Sequence, residues 1–191
     1  MTLTNESTTA ATADRSVPPW QGTNHLALIT ADMDATVRFY AGVLGMELVA
    51  AVMAGPARHY FFEMGESNTV AFFEWAGHEI TPKAAGARPQ PQLQLDHISF
   101  GVPDRGSLEA LRARLESFDV EVTPIVDHTI VHSIYFTDNN GIALEASYWS
   151  RDVTGPSANR DNFLNDPDPV PALTEIREHG RVLSTPTTRL V

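Results

Sequence analysis

Two stretches of the chain begin with the same alternation of polar and apolar positions. Asn24-His25-Leu26-Ala27-Leu28-Ile29-Thr30-Ala31-Asp32 resembles Asp96-His97-Ile98-Ser99-Phe100-Gly101-Val102-Pro103-Asp104. Each reads polar, His, aliphatic, small, large apolar, and each places an Asp seven residues after the His. The period of two predicts a strand. A helical period follows in both copies. Val37, Tyr40 and Leu44 recur at i, i+3 and i+7, with Gly45 suited to the stop; Leu108, Leu111 and Leu115 repeat the spacing, with Asp104 or Ser107 as the cap. Three further strands are predicted in each copy: Glu47–Met53, Arg58–Met64 and Thr69–Trp75, then Val120–Ile125, Thr129–Thr137 and Ile142–Tyr148. Gly55-Pro56, Gly65-Glu66-Ser67-Asn68 and Asp138-Asn139-Asn140-Gly141 supply turn chemistry between them.

The expected fold class is therefore α+β: two paired βαβββ modules forming a curved, cup-like mixed sheet with helices outside. The boundaries read as a disordered lead-in over 1–18, a first module over 19–76, a linker over 77–93, a second module over 94–149 and a C-terminal extension over 150–191. The linker is rich in Pro, Ala and Gly, and the extension holds one short helical candidate, Val170–Glu178.

Strand alternation sorts the candidate chemistry by face. His25, Ala27 and Ile29 share one face of the first strand, and His97 shares a face with Ser99. The bulkier residues oppose them and are expected to pack on the helices. Each copy also carries one acidic residue in its last strand. His25 and Glu74 are 49 positions apart, and His97 and Glu145 are 48 apart. Glu74 alternates with Phe72 and Val70; Glu145 alternates with Ala143 and Ser147. A carboxylate among such neighbours is costly to bury unless it is paired or bound to a metal. Two imidazoles with one or two carboxylates suit Fe(II), Mn(II), Ni(II), Co(II) or Zn(II), and two His plus one carboxylate leave positions open for a substrate.

Composition narrows the partners. The formal net charge of −11 repels phosphate backbones and anionic lipid heads, so neither nucleic acid nor membrane is expected as a partner. No cysteine is present, which excludes disulfide scaffolds, zinc ribbons and a thiol nucleophile. No apolar run approaches a membrane span, the N-terminal residues lack a secretory h-region, and the chain reads as soluble and cytoplasmic.

These segments resemble the vicinal oxygen chelate superfamily, which includes glyoxalase I, extradiol ring-cleaving dioxygenases, and fosfomycin- and bleomycin-resistance proteins. The resemblance spans roughly residues 20–150. It rests on the paired first strands, on MDATVRFYAGVLGMELV, and most specifically on SIYFTDNNGIALEAS; Asn139 departs from a usual Pro. It implies metal ligands at His25, His97 and Glu145, with Glu74 as a variable fourth. It also implies a small-molecule substrate with neighbouring oxygens, a homodimer, and Tyr135 as a hydrogen-bond donor to substrate oxygen. His128 and His132 are candidates to assist proton movement, and Arg58 to meet a substrate carboxylate. Two enzyme classes compete. Fe(II) on His25, His97 and Glu145 suits an extradiol-type dioxygenase, which is the first expectation. Four ligands including Glu74, with one carboxylate as base, suit a glyoxalase I-like lyase or isomerase. A non-catalytic ligand-sequestering protein is the third class, and retention of the His and Glu set counts against it.

Overall fold

The computed structural model of the chain describes residues 22–83, 94–154, 164 and 166–186. The expected lead-in and most of the expected linker lie outside the described residues. By packing, the chain divides into two units. The first holds residues up to Lys83 together with Asp138–Ile142; the second holds Ala84–Thr137 and Ala143 onward.

The first unit runs β1 (His25–Thr30), α1 (Met33–Val37), a π-helical turn (Arg38–Val43), β2 (Leu48–Ala54), β3 (Ala57–Gly65) and β4 (Asn68–Glu74). Its four strands are ordered β1-β4-β3-β2, with β1 parallel to β4 and the others antiparallel. The second unit repeats this with β5 (Ile98–Gly101), α2 (Arg105–Ser117), β6 (Val126–Asp127), β7 (Val131–Thr137) and β8 (Ala143–Trp149), ordered β5-β8-β7-β6. A last helix, α3 (Pro171–His179), follows. These are the two mixed four-stranded sheets and few helices of an α+β protein. Among the described residues no helix is long and apolar enough to cross a membrane.

The helices start where the repeated Asp residues stand. Asp32 accepts a hydrogen bond from the Ala35 N–H at 3.0 Å, and Asp104 accepts one from the Ser107 N–H at 2.8 Å. Each cap satisfies a donor that the helix leaves orphaned, an effect of about 1 kcal/mol. The first helix does not continue as α. Leu44 N–H bonds the Phe39 carbonyl, five residues back, and Gly45 closes the turn at φ +76°. The wider turn brings the adjacent Phe39 and Tyr40 both into the core. The Tyr40 ring lies 5.4 Å from Phe62 and 4.9 Å from Phe72, all three fully or almost fully buried. Each such side chain contributes about 1.5–3 kcal/mol through burial. In the second unit Leu108 and Leu115 of α2 are fully buried, as are Ile134 and Leu144 of the sheet.

One predicted strand is not formed. Val120–Ile125 is irregular, and pairing begins only at Val126 and Asp127. Pro124 lies in this segment and has no N–H to give a ladder. The segment hydrogen-bonds to β7 at Thr123, whose N–H bonds the Tyr135 carbonyl at 3.0 Å and whose hydroxyl accepts from the Tyr135 N–H at 3.0 Å.

Candidate active site

The faces follow from register. In the second unit Ser99 pairs with Glu145, Tyr135 pairs with Glu145, and Ser133 pairs with Ser147. Paired residues point the same way, so these side chains share the face turned away from α2. His97 immediately precedes β5 and joins them. Its Nε2 lies 2.9 Å from Glu145 Oε2, and its Nδ1 lies 2.7 Å from Asp96 Oδ1. The Tyr135 hydroxyl donates to Glu145 Oε1 at 3.1 Å and lies 2.8 Å from His128 Nε2. Since the phenol's single proton goes to Glu145, His128 meets it as an Nε2–H donor.

Glu145 is buried at 6% exposure. Burial pushes its carboxyl up, but the hydroxyls of Ser133, Ser99 and Tyr135 and the His97 ring together hold it below the usual carboxylate value. Ser133 Oγ is buried without a hydrogen-bond partner among the described residues, so it acts on the carboxylate as a nearby dipole. Burial, and then the neighbouring Glu145 charge, push the Tyr135 hydroxyl up. It therefore stays protonated, as a donor must. Ser99 and Ser147 bond to each other at 2.8 Å on the same face as Glu145.

His25 occupies the equivalent place in the first unit. It pairs with Thr69, lies exposed on the face away from the helix, and contacts Asn24 Oδ1 through Nδ1 at 2.8 Å. The position that corresponds to Glu145 is not Glu74. It is Ala71, which pairs with Ala27 and Phe61 as Glu145 pairs with Ser99 and Tyr135. Glu74 pairs with Thr30 and shares the helix-side face with Val70 and Phe72. Its carboxylate accepts from the Met33 N–H at 2.9 Å, at the start of α1, and forms a close ion pair with Arg58. The Met33 N–H, followed by Arg58, holds its carboxyl below the usual value. The structure thus sets Glu74 and His25 on opposite faces of one sheet.

His132 is placed the same way in the second unit. It pairs with Tyr148 and stacks on that ring at 5.2 Å, facing away from Tyr135. Of the two candidate histidines, only His128 meets the cluster. Two positions were not nominated as site residues from the sequence. Ser133 and Ser99 flank Glu145, and their signal was strand alternation with Tyr135 and His97. His59 also has its Nε2 buried without a partner, and its ring stacks on Phe73 at 3.6 Å. Burial, then the nearby His25, lower its pKa.

The donor set bears on a metal. A neutral imidazole carries one N–H, yet His97 has a carboxylate oxygen against each ring nitrogen. The second contact calls for a second proton or a cation. A carboxylate behind the ligating ring is also how imidazole ligands are oriented. His97 and Glu145 therefore fit as two donors for a divalent ion, with Asp96 behind. Among the described residues no group of three or more His, Asp or Glu side chains is gathered to hold one.

Residues 22–146 match the model of the Glyoxalase/Bleomycin resistance protein/Dioxygenase superfamily, and the chain belongs to that superfamily. A curated relative, the "Putative ring-cleaving dioxygenase MhqO" of Bacillus subtilis (strain 168), is 30% identical over 130 residues. That alignment covers 65% of this chain but only 39% of the relative's length. Among solved structures, a glyoxylase/bleomycin resistance protein/dioxygenase domain from Frankia sp. EAN1pec aligns with TM-score 0.58 at 22% identity, covering 69% of this chain and 99% of that one. A "putative dioxygenase" from Bacillus subtilis subsp. subtilis str. 168 aligns with TM-score 0.52 at 25% identity, covering 66% and 40%.

Proposed function

We propose that the protein is a divalent-metal-dependent dioxygenase of the extradiol ring-cleaving type, acting on a small catechol-like substrate, with Fe(II) as the metal. The observation that carries this reading is the unbroken chain from His128 through Tyr135 and Glu145 to His97 and Asp96. The relative named as a ring-cleaving dioxygenase supports it. So does the position of Glu74, since a glyoxalase-like base or fourth ligand needs a carboxylate beside His25, where Ala71 stands. His25 is nominated as a third ligand by the sequence repeat and the family resemblance.

His97 and Glu145 would hold the divalent ion, which would supply Lewis-acid stabilisation of charge on the substrate's neighbouring oxygens. The protein's own groups do the rest. Asp96 fixes the His97 ring through Nδ1, leaving Nε2 as the donor atom. Tyr135, kept protonated by its surroundings, offers its O–H to a substrate oxygen once Glu145 is engaged elsewhere. His128 Nε2 exchanges a proton with that phenol, and the His128–Tyr135 contact is exposed, so the proton reaches water.

Oxygen uptake by the Fe(II)-reconstituted protein with simple catechols tests the proposal. One O2 consumed per ring opened, with both atoms recovered in the product, is the expected result. Absence of uptake with every catechol, in a protein that retains iron, would sink it. We propose a homodimer as the solution state, to be checked by light scattering.

A further inference from the structure

The turn between β7 and β8 groups with the first unit rather than with the strands it joins. Asp138–Ile142 belongs by its contacts to the first unit, although Thr137 before it and Ala143 after it belong to the second. The turn is polar, yet Asp138 and Asn140 are 7% and 5% exposed. The polar side chains of Asp138, Asn139 and Asn140 are all hydrogen-bonded. Asn140 Oδ1 accepts from the Thr30 hydroxyl at 2.7 Å, and Thr30 in turn meets the Thr36 hydroxyl at 2.8 Å. Asn139 Nδ2 donates to Thr36 Oγ1 at 3.1 Å. Asp138 Oδ2 accepts from the Tyr40 hydroxyl at 3.0 Å, and Asp138 Oδ1 accepts the Asn140 and Ile142 N–H groups, both at 2.8 Å. The Gly141 carbonyl accepts from the Lys83 N–H at 2.9 Å. Gly141 sits at φ +74°, and a Cβ there would lie 2.8 Å from Pro82. The turn therefore cannot shift without leaving several buried groups unpaired.

The strands on either side carry the site. Tyr135 lies three residues before Asp138, and Glu145 three residues after Ile142. The two pair across the hairpin, with the phenol 3.1 Å from the carboxylate. An anchored turn fixes where the hairpin starts and how its two strands register.

We propose that Asp138 and Asn140, held by Thr30, Thr36 and Tyr40, are positioning residues that set the Tyr135–Glu145 geometry. They touch neither substrate nor metal; they act through the strands. The proposal rests on Tyr135 and Glu145 belonging to the working site. It adds that residues of β1 and the first helix, remote in sequence, tune that site.

Thr30→Val removes the hydroxyl at the centre of this network at nearly constant volume, and Thr30→Ser restores it. Tyr40→Phe is an independent second variant that frees Asp138 on its other side. Two readouts are taken on the apo protein after circular dichroism confirms the fold: Co(II) affinity by calorimetry, and amide exchange over Tyr135–Thr137 and Ala143–Glu145 by mass spectrometry. Thr30→Val and Tyr40→Phe are expected to weaken Co(II) binding and to speed exchange in this hairpin, each by about tenfold. Thr30→Ser is expected to stay within about twofold of wild type. If both variants fold, lose global stability and leave hairpin exchange and Co(II) affinity at wild-type values, the turn is an anchor only and the proposal is overturned. If the wild type binds no Co(II), the metal reading fails. Faster exchange confined to the hairpin then still supports positioning, and unchanged exchange overturns it.

Discussion

The two units share one topology and one register but carry opposite chemistry on the same face. Position by position, Ala71 stands where Glu145 does, Phe61 where Tyr135 does, Phe73 where Ser147 does, His59 where Ser133 does and Ala27 where Ser99 does. The first face is aromatic: His59 stacks on Phe73, and Phe61 meets His25 edge-on and lies tilted against His59. The second is a hydrogen-bonded string of ionisable and hydroxyl groups. A βαβββ unit thus constrains the helix-side core tightly and the other face hardly at all. Leu26, Val70 and Phe72 have apolar counterparts in Ile98, Leu144 and Ala146, while on the open side the histidine is kept and the residues that pair around Glu145 are replaced.

That contrast predicts where mutations act. The largest effect is expected from His97→Ala and Glu145→Ala, each weakening metal binding by at least about 100-fold in a protein that still folds. Calorimetry and elemental analysis measure it, and full metal retention in both variants would overturn the assignment. The same measurement on His25→Ala reports whether the first face contributes. Tyr135→Phe comes next. It leaves the residue that Phe61 already presents in the other unit. Turnover is expected to fall about 10²-fold with metal content unchanged, since a positioned proton donor is lost while the ligands remain. A smaller effect follows from installing the second face's chemistry on the first. Ala71→Glu buries a carboxylate beside Phe61 and Phe73 and is expected to cost about 3 kcal/mol in urea unfolding. Adding Phe61→Tyr is expected to return about 1 kcal/mol, through the bond that Tyr135 makes to Glu145. Strict additivity of the two changes would show that the cross-strand pair alone does not stabilise the carboxylate.

Much of this was legible in the sequence, and the misreadings have physical causes. Alternation puts His25 with Ala27 and Ile29, Glu145 with Ser147, and Glu74 with Phe72, all as the structure has them. What alternation does not say is which face a strand turns to the helix. Glu74 therefore reads as the partner of His25, because its separation along the chain nearly matches that of Glu145 from His97. Pairing decides otherwise. His25 stands opposite Thr69, so the matching carboxylate position falls at Ala71, three residues short of Glu74. The same blindness to face makes His132 look equivalent to His128. Pro124 could have warned that Val120–Ile125 would not pair. The burial of the Asp138–Asn140 turn had no local signal, because Asp-Asn-Asn-Gly reads as an ordinary exposed turn and its partners lie about a hundred residues away.

The helix-side edge gives the smallest and most specific test. Arg58 and Glu74 of the first unit stand where His132 and Tyr148 stand in the second, an ion pair in place of an aromatic stack. The Glu74 carboxyl is held below its ordinary value of 4.5 by the Met33 N–H and by Arg58. Its folded-state value therefore lies below its unfolded one, and the unfolded chain binds the proton more readily. The stabilisation is complete above the unfolded value and disappears as pH falls through the folded one. Glu74→Gln is thus expected to lower the melting temperature slightly at neutral pH. The difference from wild type should shrink steadily below about pH 4.5. Tyr148→Phe, at the equivalent place, carries no carboxylate to protonate and is expected to show a difference that does not change over that range. A Glu74→Gln difference that persists undiminished well below that pH would mean that the Met33 and Arg58 contacts do not favour the ionised carboxylate.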